Sequence, residues 1–350
     1  MGDDPALFER EARITGRLEH PGIVPIYGLG RDQHGAPVYA MRMIRGGTLG
    51  DAIEAYHRGL KSGATSDSKL PLRSLLQHFL AVCQAVAYAH SQKVVHRDIK
   101  PANIMLGEYG ETLLVDWGLA KEYAECEPEA SEACGAVPTS TVLNSNDEGN
   151  HPLSALEPLS PAAATRIERQ DSTDRTAMGV VKGSPGYMSP EQAEGRVLDV
   201  GPGTDIYSLG ATLFAILTGR PPFQGREPLK VVQQVRTGSF PAPRSLLPSI
   251  PRPLEAVCLK AMRFAVRDRY TSALEIARDI EHFLADEPIA AWREPPHLRL
   301  ARWTRRNRKL ATVFVASLLI LGGILLTSAW ILRSERARRQ DSAKQEDAAD

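Results

Sequence analysis

An uninterrupted apolar segment, residues 310–332, constrains this chain more than any other feature of its sequence. The segment holds 23 residues without a charged side chain. A helix of that length spans about 34 Å, which is enough to cross a bilayer core of roughly 30 Å. The alternative is a core helix, which would need apolar neighbours on every side. We predict instead a single-pass membrane protein whose transmembrane helix is this segment.

Basic residues flank the predicted transmembrane helix on both sides. Cytoplasmic loops of membrane proteins carry the excess of Arg and Lys, so the richer flank indicates the cytoplasmic side. The N-terminal flank is the richer one, and we therefore predict that the part before the helix is cytoplasmic. The flanking residues are Arg299, Arg302, Arg305, Arg306, Arg308 and Lys309 before the helix, and Arg333, Arg336, Arg338 and Arg339 after it.

Composition limits the class of the remaining chain. The 42 Lys+Arg and 42 Asp+Glu give a formal net charge of zero, which argues against a chain-wide binder of polyanions, so no nucleic-acid partner is predicted. Hydrophobic residues make up 43% of the chain, which is enough for a packed core. The four cysteines form no CxxC pair, and this favours a reducing compartment over a zinc cage or a disulfide scaffold.

Residues 122–180 differ in composition from the segments on either side. They hold eleven acidic residues, three basic residues, eleven Ser or Thr and one aromatic residue. So few large apolar groups cannot offset the entropy of ordering, and we predict a disordered insertion. Its hydroxyl residues could accept phosphates, with Thr173 and Thr176 as candidates. The alternative is an inert surface loop, because disordered loops are rich in Ser and Thr in any case.

The first predicted helix, residues 5–19, carries a charge on its apolar face. Leu7, Glu11, Ile14 and Leu18 are spaced four, three and four residues apart, so they share one side of the helix. A buried carboxylate needs a cation or it becomes protonated. Glu11 therefore either faces a cation in the interior or reaches solvent from the helix edge.

Two strands and a long helix follow in the sequence. Residues 23–29 and 37–44 have the pattern of strands joined by the turn-rich sequence GRDQHG. Residues 72–90 form a long amphipathic helix by their apolar spacing, with His90 on its apolar side.

The most informative stretch follows this helix directly. Residues 94–105 are VVHRDIKPANIM, and residues 115–118 are VDWG. This pair of motifs resembles the catalytic and metal-binding loops of Hanks-type protein kinases, whose pattern is H-R-D-L-x-x-x-N followed by D-F-G. A lone HRD triplet is common, but the full pattern at this spacing is specific.

The resemblance implies a role for each polar residue of these two loops. Asp98 would accept the hydroxyl proton of a protein substrate, and Lys100 would neutralise charge on the phosphoryl group in transfer. Asn103 and Asp116 would bind the Mg²⁺ that bridges the phosphates of ATP. Lys100 and the later GSPGY motif together favour serine/threonine over tyrosine specificity.

Further motifs in the expected order extend the resemblance over residues 6–285. The sequence GSPGYMSPE resembles the substrate-docking loop, DIYSLG resembles the helix that anchors the catalytic loop, and DRY resembles a late family motif. The resemblance implies a buried ion pair between Glu191 and Arg269, and it implies that Asp205 holds the backbone of the catalytic loop. It also gives structural or regulatory roles to His96, Arg97, Gly118 and Ser184.

The resemblance also places the ATP site at the start of the chain. Glu11 matches the helix carboxylate that pairs with a strand-borne Lys on the ATP phosphates. Met41 matches the gatekeeper position, and Met43 lies in the segment that matches the hinge, against which adenine would stack. Arg42 in the same segment is often acidic in relatives.

Two parts of the kinase pattern are not found ahead of Glu11. The ten residues before it include no Lys and no G-x-G-x-x-G, and the first lysine of the sequence is Lys61. One interpretation is a truncated gene product, and the other is a pseudokinase that acts as a binding or scaffold module. The intact set of Asp98, Lys100, Asn103 and Asp116 favours truncation.

The sequence thus predicts an α+β, protein-kinase-like fold that is mostly the helical C-lobe, with an incomplete β N-lobe and one transmembrane helix. The predicted cofactors are ATP and Mg²⁺, and the predicted partners are protein substrates and the lipid bilayer, while a homodimer is left open. The predicted segments are a partial N-lobe at 1–45, a C-lobe at 46–286, a basic juxtamembrane segment at 287–309, the transmembrane helix at 310–332 and a charged tail at 333–350.

Overall fold

The structure is a computed structural model of the chain, and it describes residues 5–62, 69–123 and 184–347. It divides into two compact units, Met1–Trp292 and Arg293–Asp350. Most of the predicted insertion, including Thr173 and Thr176, lies outside the described residues. Two residues of that segment are described, and the first of them, Glu122, belongs to a strand that pairs with Val94.

The first unit begins with helix α1 (Pro5–Gly16) and an antiparallel hairpin of β1 (Ile26–Arg31) and β2 (Pro37–Met41). The helix ends three residues earlier than predicted, because the amides of Arg17 and Leu18 donate to carbonyls three residues back and tighten the turn. The hairpin confirms the predicted pair of strands, although both strands are shorter than predicted.

Three short strands and two shorter ones carry the loops of interest. Strands β3 (Gly46–Thr48), β5 (Ile104–Gly107) and β6 (Thr112–Leu114) form a sheet in that order. Strands β4 (Val94–Val95) and β7 (Lys121–Glu122) pair antiparallel. The HRD motif therefore lies on the loop between β4 and β5, and the DWG motif lies on the loop between β6 and β7.

Helices make up most of the remainder of the first unit. Helix α3 confirms the long helix predicted over residues 72–90. Helix α2 begins with a capping box, in which Thr48 and Asp51 each bond the other's backbone amide. The helices are α2 (Leu49–Lys61), α3 (Lys69–Ser91), α4 (Pro190–Ala193), α5 (Pro202–Thr218), α6 (Pro228–Thr237), α7 (Pro243–Leu246), α8 (Arg252–Ala261) and α9 (Ala273–Leu284).

Helix α5 lies at the centre of the core. Every residue from Thr204 to Leu217 is buried, as its nearly continuous apolar sequence requires. It packs against α3 and α8, and its side chains Tyr207 and Phe214 are among the largest that are fully buried. Gly219 ends the helix in the left-handed conformation, with φ of 75°. This buried helix is the rigid element from which Asp205 reaches the HRD loop.

The second unit consists of two helices, α10 (Pro296–Arg306) and α11 (Arg308–Asp347). Asn307 interrupts them, and both its backbone amide and its side-chain amide donate to the carbonyl of Trp303. Helix α11 contains the apolar segment 310–332, within a candidate span Lys309–Glu335 whose mean hydropathy is 2.4. None of that span is buried against the described residues, so the core-helix alternative gains no support.

Candidate active site

Asp98 is the centre of a network of hydrogen bonds on the loop between β4 and β5. Its Oδ2 accepts from the Lys100 Nζ at 2.6 Å and from the Asn103 Nδ2 at 3.2 Å. Its Oδ1 accepts from the backbone amide of Ser184 at 3.2 Å, and the Lys100 Nζ donates to the Ser184 hydroxyl at 2.7 Å. The carboxylate is thus held in one orientation by donors from two distant segments.

The Asp205 side chain of α5 anchors the loop that carries the HRD motif. Its two carboxylate oxygens accept from the amides of His96 at 2.9 Å and Arg97 at 2.8 Å, and from the His90 Nε2 at 2.8 Å. Burial alone would raise the pKa of Asp205, but the hydrogen bond and charge of His90 outweigh it and lower the pKa. The contacts that the resemblance implied between Asp205 and the loop backbone are present.

His96 ties the HRD loop to the strand that leads into the DWG motif. Its Nε2 lies 3.1 Å from the carbonyl oxygen of Val115, and the amide of Asp98 donates to its Nδ1 at 3.3 Å. Burial lowers the pKa of the imidazole, which favours the neutral tautomer with the proton on Nε2. His96 therefore braces the loop, and a neutral ring fits both bonds.

Asn103 and Asp116 lie at the open end of the β5–β6 hairpin, just before β5 and shortly after β6. The amide of Val115 donates to the Asn103 carbonyl at 2.9 Å, and the Asn103 Nδ2 donates to the Asp98 carbonyl at 2.9 Å. With its nitrogen engaged, the Asn103 side chain has an oxygen to offer, and the Asp116 side chain is exposed. One amide oxygen and one carboxylate are the donors that a hard divalent cation takes, so these residues fit such an ion.

Two residues of the site hold backbone conformations that favour glycine. Arg97 has φ of 72° and Asp116 has φ of 64°. Non-glycine residues occupy this region rarely, and the surrounding structure must hold them there. Asp205 holds the first through its bond to the Arg97 amide.

Trp117 stands where the kinase pattern has Phe, and it is 1% exposed. Its ring lies 4.5 Å from the His96 ring, and its Nε1 donates to the carbonyl of Leu114 at 3.3 Å. A Phe ring would make the packing contact without the hydrogen bond. The indole therefore fixes the residue after Asp116 more firmly than the pattern residue would.

The Glu11 side chain points from α1 towards the DWG loop, where its neighbour is a second carboxylate, that of Asp116. Burial and the charge of Asp116 raise the pKa of Glu11, while a hydrogen bond from the Tyr39 hydroxyl lowers it, and the net shift is upward. A Cβ on Gly118 would lie 3.1 Å from the Glu11 Oε2 and 3.3 Å from the Asp116 Oδ1. Gly118 therefore leaves room for the two carboxylates to approach the same place.

The predicted hinge residues lie at the end of β2. Met41 is 43% exposed and Met43 is 80% exposed, which leaves both side chains accessible to a ligand. Arg42 between them forms an ion pair of 2.7 Å with Glu111. Their role in adenine binding stays a prediction.

The predicted ion pair between Glu191 and Arg269 is confirmed. The Arg269 Nη1 and Nη2 donate to the two Glu191 carboxylate oxygens at 2.7 and 2.8 Å, and both side chains are fully buried. Thr204 donates a further hydrogen bond to Glu191 at 2.9 Å. The pair fixes the end of the docking-loop motif to the start of α5, 13 residues along the chain from Glu191.

Sequence reasoning missed three contacts of this site. It did not foresee the hydroxyl of Tyr39 on Glu11, the link between Ser184 and Lys100, or the bond from His90 to Asp205. The position of His90 on the apolar face of a helix was the one available signal, because a buried polar ring needs a partner.

The comparisons with known proteins point to the protein kinase family. Residues 3–139 match the protein kinase domain family. The serine/threonine-protein kinase PknD of Protochlamydia amoebophila is 35% identical over 280 residues, which is 79% of this chain and 25% of the relative. The serine/threonine-protein kinase PknB of Mycobacterium leprae is 30% identical over 298 residues, 83% of this chain and 38% of the relative.

A probable serine/threonine-protein kinase PknB of Bifidobacterium longum is similar to the same degree, at 30% identity over 82% of this chain and 34% of the relative. The chain thus spans well under half the length of these curated relatives. The chain contains a protein kinase domain, and the predicted fold class is confirmed. A domain of this family implies the use of ATP and a divalent metal ion.

Proposed function

We propose that the first unit is the catalytic part of a serine/threonine protein kinase, which transfers the γ-phosphoryl group of ATP to Ser or Thr hydroxyls of proteins. The observation that carries the proposal is the network around Asp98, in which Lys100, Asn103 and Ser184 all bond one carboxylate. The relatives named as serine/threonine kinases support it.

Asp98 is the proposed proton acceptor. The substrate hydroxyl oxygen forms a bond to the γ-phosphorus, the bond from that phosphorus to the β–γ bridging oxygen breaks, and ADP leaves. The hydroxyl proton passes to the Asp98 carboxylate, which Lys100 and Ser184 hold in place. Lys100 carries a positive charge 2.6 Å from Asp98, where it can also neutralise the phosphoryl oxygens.

Asn103 and Asp116 are the proposed ligands of Mg²⁺, and Glu11, Met41 and Met43 the proposed residues of the ATP site. A bound Mg²⁺ would supply charge neutralisation on the ATP phosphates. The exposed Asp116 carboxylate and the oriented Asn103 amide support this assignment.

A phosphotransfer assay with labelled ATP and a basic test protein checks the catalytic assignment. Asp98→Asn keeps the shape of the side chain but loses the proton acceptor, so we expect a rate at least ~100-fold lower. A matched control is Arg226→Gln, an exposed residue at a distance in sequence from every motif. An unchanged rate in the Asp98 variant would sink the role given to Asp98.

A second candidate is a binding module that holds ATP without transferring its phosphate. The approach of Glu11 to Asp116 favours it, because burial and the Asp116 carboxylate raise the pKa of Glu11 at the position where the kinase pattern pairs this glutamate with a lysine. Such a module would show a thermal shift with Mg-ATP that Asp116→Ala removes, together with no labelled product. Labelled product from the unmodified chain excludes this candidate.

We further propose that the segment 310–332 anchors the protein in a membrane with the catalytic unit on the cytoplasmic side. The hydropathy and the exposure of the span support anchoring, and the basic flank supports the orientation. Retention of the chain in membranes after an alkaline carbonate wash is the expected result, and release into the supernatant would contradict it.

A further inference from the structure

Helix α10 is a short, strongly basic helix just before the candidate membrane span. It carries four arginines and no acidic residue, and none of its residues is buried. Residues 293–309 as a whole hold seven Arg or Lys and one acidic residue. A helix with this excess of positive charge is not stabilised by burial in a protein core, and its exposed face attracts a surface of opposite charge.

Apolar side chains of α10 lie beside its basic ones. Leu300 and Trp303 are three residues apart and share one face, and they are 62% and 45% exposed. Arg299 and Arg306 are seven residues apart and share the adjacent face. An apolar face bordered by arginines suits a boundary at which hydrocarbon meets anionic headgroups.

The connection to α11 keeps α10 close to the point of membrane entry. Only Asn307 separates the two helices. Its backbone amide and its side-chain amide both donate hydrogen bonds to the Trp303 carbonyl and hold that junction in one geometry. At 1.5 Å per residue, all of α10 lies within roughly 20 Å of the first residue of the apolar segment. The arginines nearest the junction, Arg305 and Arg306, lie within about one Debye length of the leaflet surface.

We propose that α10 lies along the cytoplasmic leaflet and binds anionic phospholipid headgroups, with Leu300 and Trp303 in the interfacial layer. The inference rests on the proposed membrane span. Lipid is favoured over an acidic protein surface because the membrane is supplied by the adjacent helix, and because Trp prefers the interface. Arg302 of this helix forms an ion pair of 2.7 Å with Glu294, which orients the start of the unit.

Hydrogen exchange of the full chain in lipid nanodiscs tests the inference. One set of discs holds phosphatidylcholine alone, and the other holds phosphatidylcholine with phosphatidylglycerol. We expect peptides from residues 296–306 to exchange roughly fivefold more slowly or better in the anionic discs, since each basic residue gains from the surface potential. Equal exchange in the two sets of discs overturns the proposal, and so does full protection already present in phosphatidylcholine, which would place α10 on protein.

The variant R299Q/R305Q/R306Q removes three charges while leaving the pair of Arg302 with Glu294. We expect it to abolish the difference between the two sets of discs. A difference that persists unchanged in this variant contradicts a role for these arginines.

The matched control R226Q/R252Q/R267Q removes the same number of charges from exposed positions of the first unit. It should keep the full difference between the discs, and loss of the difference here would show a net-charge effect and overturn the site. Failure of the span itself has another signature. In that case the chain does not co-elute with discs of either composition, whereas failure of the inference alone leaves co-elution intact.

Discussion

Glu191 and Glu11 are two inward-pointing glutamates of one unit, and their surroundings shift their acidity in opposite directions. Burial would raise the pKa of Glu191, but the hydrogen bonds and charge of Arg269 outweigh it and lower the pKa. Burial and the charge of Asp116 raise the pKa of Glu11, against the smaller effect of the Tyr39 hydroxyl. The more deeply buried group is the more acidic one, so the partner decides the shift and the depth does not.

The opposite pKa shifts of Glu191 and Glu11 reflect different partners, and we infer different roles from them. Glu191 has its cation within the fold, in a bidentate pair that holds the docking-loop motif against α5. Glu11 has a hydroxyl and a second carboxylate as its neighbours, an arrangement that a bound cation would stabilise. The first pair stabilises the fold, and for the second we propose that a bound positive charge is the partner of Glu11.

The largest expected effect comes from removing the cation of the structural pair. Arg269→Ala leaves the Glu191 carboxylate buried and unpaired, and we expect a loss of about 3–5 kcal/mol in the free energy of unfolding. Chemical denaturation of the full chain, followed by tryptophan fluorescence, measures this loss for the first unit. A loss below about 1 kcal/mol would contradict a dominant role for the pair.

The contribution of Glu191 to the free energy of unfolding should depend on pH in a defined direction. The folded pKa of Glu191 lies below the usual glutamate value of 4.5, so the contribution of this group to stability is present above pH 4.5 and is lost as the pH falls through the folded pKa. In Arg269→Ala this loss on acidification should disappear. The double variant E191Q/R269M, which removes both charges, should be more stable than Arg269→Ala alone, and equal stability would contradict the pairing argument.

A smaller loss of stability is expected from a change at Asp205, whose carboxylate accepts hydrogen bonds from three donors. Asp205→Asn keeps the size of the side chain but turns one acceptor into a donor, which opposes a backbone amide. We expect a loss of about 1.5–3 kcal/mol, the range for hydrogen bonds to a charged group. Hydrogen exchange should rise at His96 and Arg97 more than elsewhere in the unit, and a uniform rise would contradict the anchoring role.

The smallest effect, and one of opposite sign, is expected at Glu11. Its folded pKa is raised above 4.5, so its contribution to stability is full below pH 4.5 and is lost as the pH rises through the folded pKa. Glu11→Gln mimics the protonated group and should raise the Tm slightly at pH 7, with no gain well below pH 4.5. A lower Tm at pH 7 would show that Glu11 already has a cation.

The variant Tyr39→Phe tests whether the Tyr39 hydroxyl affects stability through Glu11. The Tyr39 hydroxyl lowers the pKa of Glu11, so its removal should lower the Tm at pH 7 in the unmodified chain and have less effect in the Glu11→Gln background. Equal effects in both backgrounds would mean that the hydroxyl does not act through Glu11.

Local sequence signals predicted the elements of this fold well, and their ends less well. The periodic apolar spacing of α3 and the turn between β1 and β2 were enough to predict both. The end of α1 at Gly16 was missed, because the tighter turn at Arg17 and Leu18 depends on bonds three residues back that apolar spacing does not encode. Strand β7 was missed because its pairing with Val94 joins segments about thirty residues apart.

The features of the site also fall into two groups, those that a sequence motif predicts and those that depend on packing. The loop residues Asp98 and Asn103 lie on one short motif, and the resemblance was sufficient to name them. The contact of Lys100 with Ser184 crosses 84 residues of chain, and the hydrogen bond between Tyr39 and Glu11 joins a strand to a helix. Such contacts depend on how the elements pack, and a single sequence carries no direct record of packing.

The left-handed backbone at Arg97 and Asp116 has a consequence for how this gene would change under relaxed selection. Each conformation costs of order 1 kcal/mol or more, and glycine would adopt it without that cost. Mutational drift would therefore gain stability by replacing either residue once its side chain served no purpose. The structure thus holds both side chains at positions where glycine would cost less, so each is kept at the expense of some stability.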